Sequence, residues 1–197
     1  YSDGLNVNTY GLVLLSNLTA NDSSHGFGAL IHNEGSTLPK SITLNGYGAF
    51  HNNLSGGLKI ITKGAITLNN VAANGNTAGI GVQLDNTAST TAFPQNVTIN
   101  GTNVFSGNYS SGLDVRTYGV ILTNNLTANG NGHGDANEGA VYLENVNAAT
   151  PKTVTLNGIN VINNNDSTGI FIFSKGAITV NKMDADQNVN GAWMSND

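Results

Sequence analysis

The side chains best suited to chemistry are few in this 197-residue chain. It has four histidines, twelve acidic residues and no cysteine. Gly132-His133-Gly134 presents a histidine that could act as a general acid or base if a carboxylate stood beside it. Asp184 and Asp186 alternate on one strand face, the spacing of a weak Ca²⁺ site or of two solvated carboxylates. Tyr142, Phe171, Phe173 and Trp193 form the other unusual set, because large rings on an outward face are rarely left bare. The seven Lys and Arg are scattered singly in a chain of net charge −5, so no basic stripe exists to bind nucleic acid. No apolar run is long enough to span a bilayer, so membrane insertion is not expected, and without cysteine there are no disulfides.

What must position these residues is a repeat. Gly-apolar-x-apolar recurs at Gly4, Gly57, Gly112 and Gly169, at intervals of 53, 55 and 57 residues. A second set, Gly28, Gly81, Gly139 (with one extra residue) and Gly191, falls between them, so the period is half as long. Asn (33 residues) and Gly (25) are abundant, a mixture poor in helix formers. Apolar residues alternate with period two, the pattern of strands with one buried face.

Three short strands emerge per rung. The first sends inward Leu5/Val7, Ala29/Ile31, Leu58/Ile60, Val82/Leu84, Leu113/Val115, Val141/Leu143, Ile170/Ile172 and Ala192/Met194. The second sends in Val13/Leu15, Ile42/Leu44, Ile66/Leu68, Val97/Ile99, Ile121/Thr123, Val154/Leu156 and Ile178/Val180. The third is expected to send in Leu18/Ala20, Tyr47/Ala49, Val71/Ala73, Thr102/Val104, Leu126/Ala128, Ile159/Val161 and Met183/Ala185. So short a rung cannot bury an apolar face alone, but stacked rungs join these columns into one core. The expectation is a single all-β domain over residues 1–197, a parallel β-helix of about 7.5 rungs. Its two-rung units would be 4–56, 57–111, 112–168 and a partial 169–197.

Between the second and third strands stands a column of Asn45, Asn69, Asn100, Asn124, Asn157 and Asn181, with Ser16 in its first place. Asn tolerates a corner and can hydrogen-bond from rung to rung. With such corners and recurring phrases such as Ala65-Ile66-Thr67-Leu68-Asn69-Asn70-Val71-Ala72-Ala73-Asn74, the chain resembles large secreted bacterial proteins built of right-handed parallel β-helix repeats. The resemblance spans essentially the whole chain. It implies a right-handed helix and an extracellular or cell-surface protein of the adhesin or fibre type. The same helix also carries polysaccharide lyases and hydrolases, and Gly132-His133-Gly134 looks like the short His motif of polygalacturonase-type hydrolases. The clustered Asp residues and basic motif that should accompany it have no counterparts. No catalytic residue, metal ligand or cofactor is assigned.

Within this frame His25 and His133 share a register four rungs apart, roughly 19 Å, too far to hold one ion. An outward Thr column (Thr43, Thr67, Thr98, Thr155, Thr179) raises ice binding as a lesser alternative, but a second Thr column is missing. The outward column of the first strand runs Asn6, Leu30, Lys59, Gln83, Asp114, Tyr142, Phe171, Trp193. Its aromatic end offers a platform for sugar rings, a contact to another subunit, or a surface that a loop covers. Longer half-repeats place Asn33–Lys40, Asn86–Gln95 and Asn145–Lys152 at one corner of alternate rungs, a ridge spaced at roughly 9.6 Å. No cap is visible between Tyr1 and Asp197. The expected role is a non-catalytic rod or filament segment whose partners are flanking repeats or other copies, head to tail or laterally. Surface glycans are a further candidate partner, and a carbohydrate-binding or carbohydrate-cleaving β-helix is the alternative.

Overall fold

The computed structural model describes residues 2–133 and 139–196; Gly134, Tyr1 and Asp197 of the sequence reading lie outside the described residues. The described chain is all β, with strands in three parallel sheets. The first sheet stacks β1 (Leu5–Asn8), β3 (Phe27–His32), β6 (Gly56–Ile61), β9 (Val82–Asp85), β12 (Leu113–Arg116), β15 (Val141–Glu144), β18 (Thr168–Ser174) and β21 (Asn190–Asn196). The second stacks β2 (Val13–Ser16), β4 (Ile42–Asn45), β7 (Ile66–Asn69), β10 (Val97–Asn100), β13 (Ile121–Asn124), β16 (Val154–Asn157) and β19 (Ile178–Val180). The third stacks β5 (Gly48–Ala49), β8 (Val71–Ala72), β11 (Asn103–Val104), β14 (Leu126–Thr127), β17 (Asn160–Val161) and β20 (Met183–Asp184). Six turns therefore have a strand in every sheet, with a partial turn at each end, slightly fewer than the expected 7.5 rungs.

Each strand pairs with its equivalent one turn on, so columns run along the axis. Leu5, Ala29, Leu58, Val82, Leu113, Val141, Ile170 and Ala192 are successive partners in the first sheet. Val13, Ile42, Ile66, Val97, Ile121, Val154 and Ile178 are successive partners in the second. From the second turn to the seventh the first-sheet positions are fully buried, and the inward residues form one continuous core.

The third sheet departs from expectation in alternate turns. Leu18, Val71, Leu126 and Met183 do face the core, but Tyr47, Thr102 and Ile159 are exposed. Their turns send in Gly48/Phe50, Asn103/Phe105 and Asn160/Ile162 instead, and Phe50 and Phe105 are among the largest fully buried side chains. The cause is an extra residue at the corner. Asn17, Asn70, Asn125 and Lys182 turn it alone at positive φ; Gly46, Gly101 and Gly158 turn it and are each followed by an inserted residue, Tyr47, Thr102 or Ile159. One added residue in a period-two pattern moves the whole side-chain set to the other face. The amide N–H groups of the inserted residues donate to Asn17, Asn70 and Asn125 Oδ1 at 3.1 Å each. The two kinds of corner are therefore complementary, and single and double corners alternate up the stack.

Candidate functional site

The aromatic set comes together on the outer face of the first sheet. Tyr142 pairs with Phe171, and Phe171 with Trp193, in successive strands, while Phe173 neighbours Phe171. The rings of Tyr142 and Phe173 lie 5.7 Å apart, and those of Phe171 and Phe173 stack at 5.9 Å with 14° between planes. Tyr142, Phe171 and Phe173 are half-buried, whereas Trp193 is 61% exposed. A cleft of about 490 Å³ separates Phe171 and Phe173 from Trp193, with Thr168 and Asn190 in its walls.

Below the rings the face becomes charged. Arg116 lies 5.0 Å from the Tyr142 ring centre, and its Nε donates to Asp114 Oδ1 at 3.1 Å. Burial works against the Arg116 charge, but the hydrogen bond and charge of Asp114, aided by Tyr142 and Glu144, outweigh it and raise its pKa. The Tyr142 hydroxyl donates to Glu144 Oε2 at 2.9 Å. Burial first, and then that hydrogen bond, push the phenol up to about 12, so the group stays a neutral donor at physiological pH.

The Asn column lies on the outer face of the second sheet. Asn69 Nδ2 donates to Asn45 Oδ1 (3.1 Å), Asn100 to Asn69 (3.2 Å), Asn124 to Asn100 (3.3 Å) and Asn181 to Asn157 (3.0 Å). Two residues back on each strand stand Thr43, Thr67, Thr98, Thr155 and Thr179, with Leu14 and Leu122 interrupting. No strand of this sheet contains a charged residue.

Sequence reasoning missed a second ladder, inside the helix. Asn53, Asn76, Asn108 and Asn131 are fully buried, and Asn165 is 2% exposed. Asn76, Asn108, Asn131, Asn165 and finally Asn188 each accept at Oδ1 from both the backbone and side-chain amide of the Asn one turn below; the side-chain bonds measure 2.7–3.1 Å. Each also donates from Nδ2 to a backbone carbonyl one turn down, as Asn76 does to Phe50 and Asn108 to Ala73. Ser23 opens this column and offers only its backbone N–H to Asn53. The sequence did hold a signal. A Cβ on Gly28 or Gly81 would stand 2.6–2.7 Å from the Nδ2 of Asn53 or Asn108, so the recurring glycine of Gly-apolar-x-apolar is the space that these amides fill. Ala140 replaces that glycine in one turn, where Gly139 was expected.

The three long loops lie at the corner after the first sheet. Asn33 donates to Lys40 O, Asn86 to Gln95 O and Asn145 to Lys152 O, so a buried amide at the start of each loop holds its far end. In the intervening turns Thr62, Thr117 and Ser174 accept from the N–H of Gly64, Gly119 and Gly176 instead, closing short turns.

His133 meets a carboxylate, with Nδ1 2.6 Å from Asp166 Oδ2 one turn on, but both side chains are more than half exposed. Asp184 accepts from Asn163 Nδ2 at 3.0 Å, and among the described residues no group of three or more metal-ligating side chains forms. No family model, curated protein or solved structure matches the chain. Its class is therefore defined by the fold itself, a parallel β-solenoid with alternating turns.

Proposed function

We propose that this chain is a non-catalytic structural segment of an extracellular rod, of the kind that bacterial surface and adhesin-type proteins carry. The observation behind this reading is where its polar side chains go. The inner Asn column, the outer Asn column and the loop-clamping Asn/Thr column all link one turn to the next. Because stability in a solenoid sums over neighbouring turns, each turn added to such columns contributes its own interface. The edges of β1 and β21 are where further turns add, from flanking repeats or from a second copy, and Trp193 of β21 and the adjoining Val189 lie exposed. The aromatic face then serves as the lateral contact.

Electron microscopy of the concentrated chain, with a parallel assay of sugar release from a panel of polysaccharides, tests both halves. Rods lengthening with concentration, and shortened by Ala192→Pro in β21, are expected. A wild-type chain that stays monomeric overturns end-to-end assembly, and release of reducing sugar overturns the non-catalytic role.

A further inference from the structure

We propose that the cleft between the first two corner loops binds an acidic polysaccharide, a glycan chain carrying carboxylates. The cleft holds about 340 Å³, and its lining includes Leu38, Pro39, Lys63, Ser89, Phe93 and Gln95. That is the size of a small-ligand pocket. Its walls are preformed, because Asn33 and Asn86 clamp the two loops. A turn also closes each loop, from Ser36 N–H to Asn33 O and from Ser89 N–H to Asn86 O.

The three loops share this turn and differ at its fourth residue. Ser36 donates its hydroxyl to Leu38 O at 2.6 Å, and the third loop has Ala148 there, with no hydroxyl. Ser89 keeps the hydroxyl but has no partner for it, although the residue is only 7% exposed. The middle loop, Asn86–Gln95, is two residues longer than the first, Asn33–Lys40, so the carbonyl equivalent to Leu38 O no longer falls within reach. A buried hydroxyl without a partner is costly, and its residue lines the cleft.

The remaining lining defines the occupant. Phe93 is 71% exposed, a flat apolar face for the C–H side of a sugar ring. Lys63 is the one charged residue lining the cleft, and it donates to Ser36 O at 2.9 Å with further N–H groups to give. One ammonium beside a ring and several hydroxyl and amide groups suits a sugar bearing a carboxylate. A polymer is favoured over a single sugar because the loops recur every second turn, roughly 9.6 Å apart. A polysaccharide repeats along its length as this ridge does, whereas the side chains of a peptide vary.

Isothermal titration of the chain with hyaluronan and alginate oligosaccharides, with chitohexaose as the uncharged control, tests the site. Both Lys63→Gln and Phe93→Ala should weaken binding of an acidic oligosaccharide about tenfold, the loss of one charge-assisted bond or one ring contact. Ser89→Ala should weaken it less. No binding of either acidic oligomer, equal binding of chitohexaose, or binding indifferent to Phe93→Ala overturns the proposal. Phe93 is exposed and its replacement leaves folding intact, so that last result is decisive.

Discussion

The two asparagine columns use the same side chain for the same purpose in opposite surroundings. On the outer face of the second sheet, Asn100 donates to Asn69 and accepts from Asn124, and water competes for each of these bonds. Inside the helix, Asn108 accepts from the backbone and side-chain amides of Asn76, donates to Ala73 O and Asn131 Oδ1, and is sealed from solvent. A hydrogen bond contributes little net stability where water can replace it, but leaving a buried partner empty costs the full desolvation of that group. The outer column thus follows from the stacking, while the inner one enforces it. It also enforces register, since each amide must find a carbonyl one turn away.

Substitutions at matched positions break this contrast in a graded series. The largest effect is expected for Asn108→Ala. It strands the Asn76 N–H and the Ala73 carbonyl in the core, for a loss of about 3 kcal/mol in denaturant unfolding. Because stability in a solenoid is summed over neighbouring turns, the loss should open the helix locally. Amide exchange should therefore accelerate on both sides of residue 108 before the ends respond. Uniform loss of protection along the chain would contradict the ladder's local role.

Gly101→Ala comes next, at about 2 kcal/mol. The residue sits at φ 79°, where a Cβ is strained, and that Cβ would collide with Asn70 Oδ1 and displace it from the Thr102 N–H. Gly101→Asn, a residue that tolerates positive φ, should recover less than half of the loss because the collision remains. Full recovery would show that φ alone governs the corner.

A half-buried position falls between the extremes. His51 accepts at Nδ1 from Asn74 N–H at 3.1 Å, in a column that elsewhere holds Asn21, Asn74, Ser106, Asn129 and Asn163. His51→Ala should cost about 1 kcal/mol, the net worth of one hydrogen bond. His51→Asn, which restores the acceptor its neighbours use, should cost clearly less by thermal melting. Equal losses would assign the effect to packing of the ring.

The same contrast explains what was legible in the sequence. The first two sheets could be read residue by residue, since Leu58-x-Ile60 or Ile66-x-Leu68 alternates without interruption. The outer Asn column followed because it ends those same strands. The third sheet was legible only in turns with a single-residue corner. At Asn100-Gly101-Thr102 the alternation restarts after an insertion that composition does not mark, and a pattern with Thr102/Val104 inward turns Phe105 outward although it is fully buried. That slip hid the inner ladder, because Asn108 takes its place three residues beyond Phe105, just as Asn76 follows Ala73. The aromatic set was found by register alone, whereas the cleft at Lys63 depends on how two loops of unequal length lean together.

The smallest expected effect is the most informative about the outer column. Asn100→Ala should cost no more than about 0.5 kcal/mol, because Asn69 Oδ1 and Asn124 Nδ2 turn to water when their partner leaves. The β10 strand keeps its backbone pairing with β7 and β13, and the Val97/Ile99 face stays in the core. Unfolding in urea, set beside Asn108→Ala measured identically, gives the ratio that matters. A ratio near one would mean that the outer amides act cooperatively along their ladder, as buried groups do, and that solvent does not compete for them. A ratio of five or more would leave the inner column as the element that holds successive turns in register.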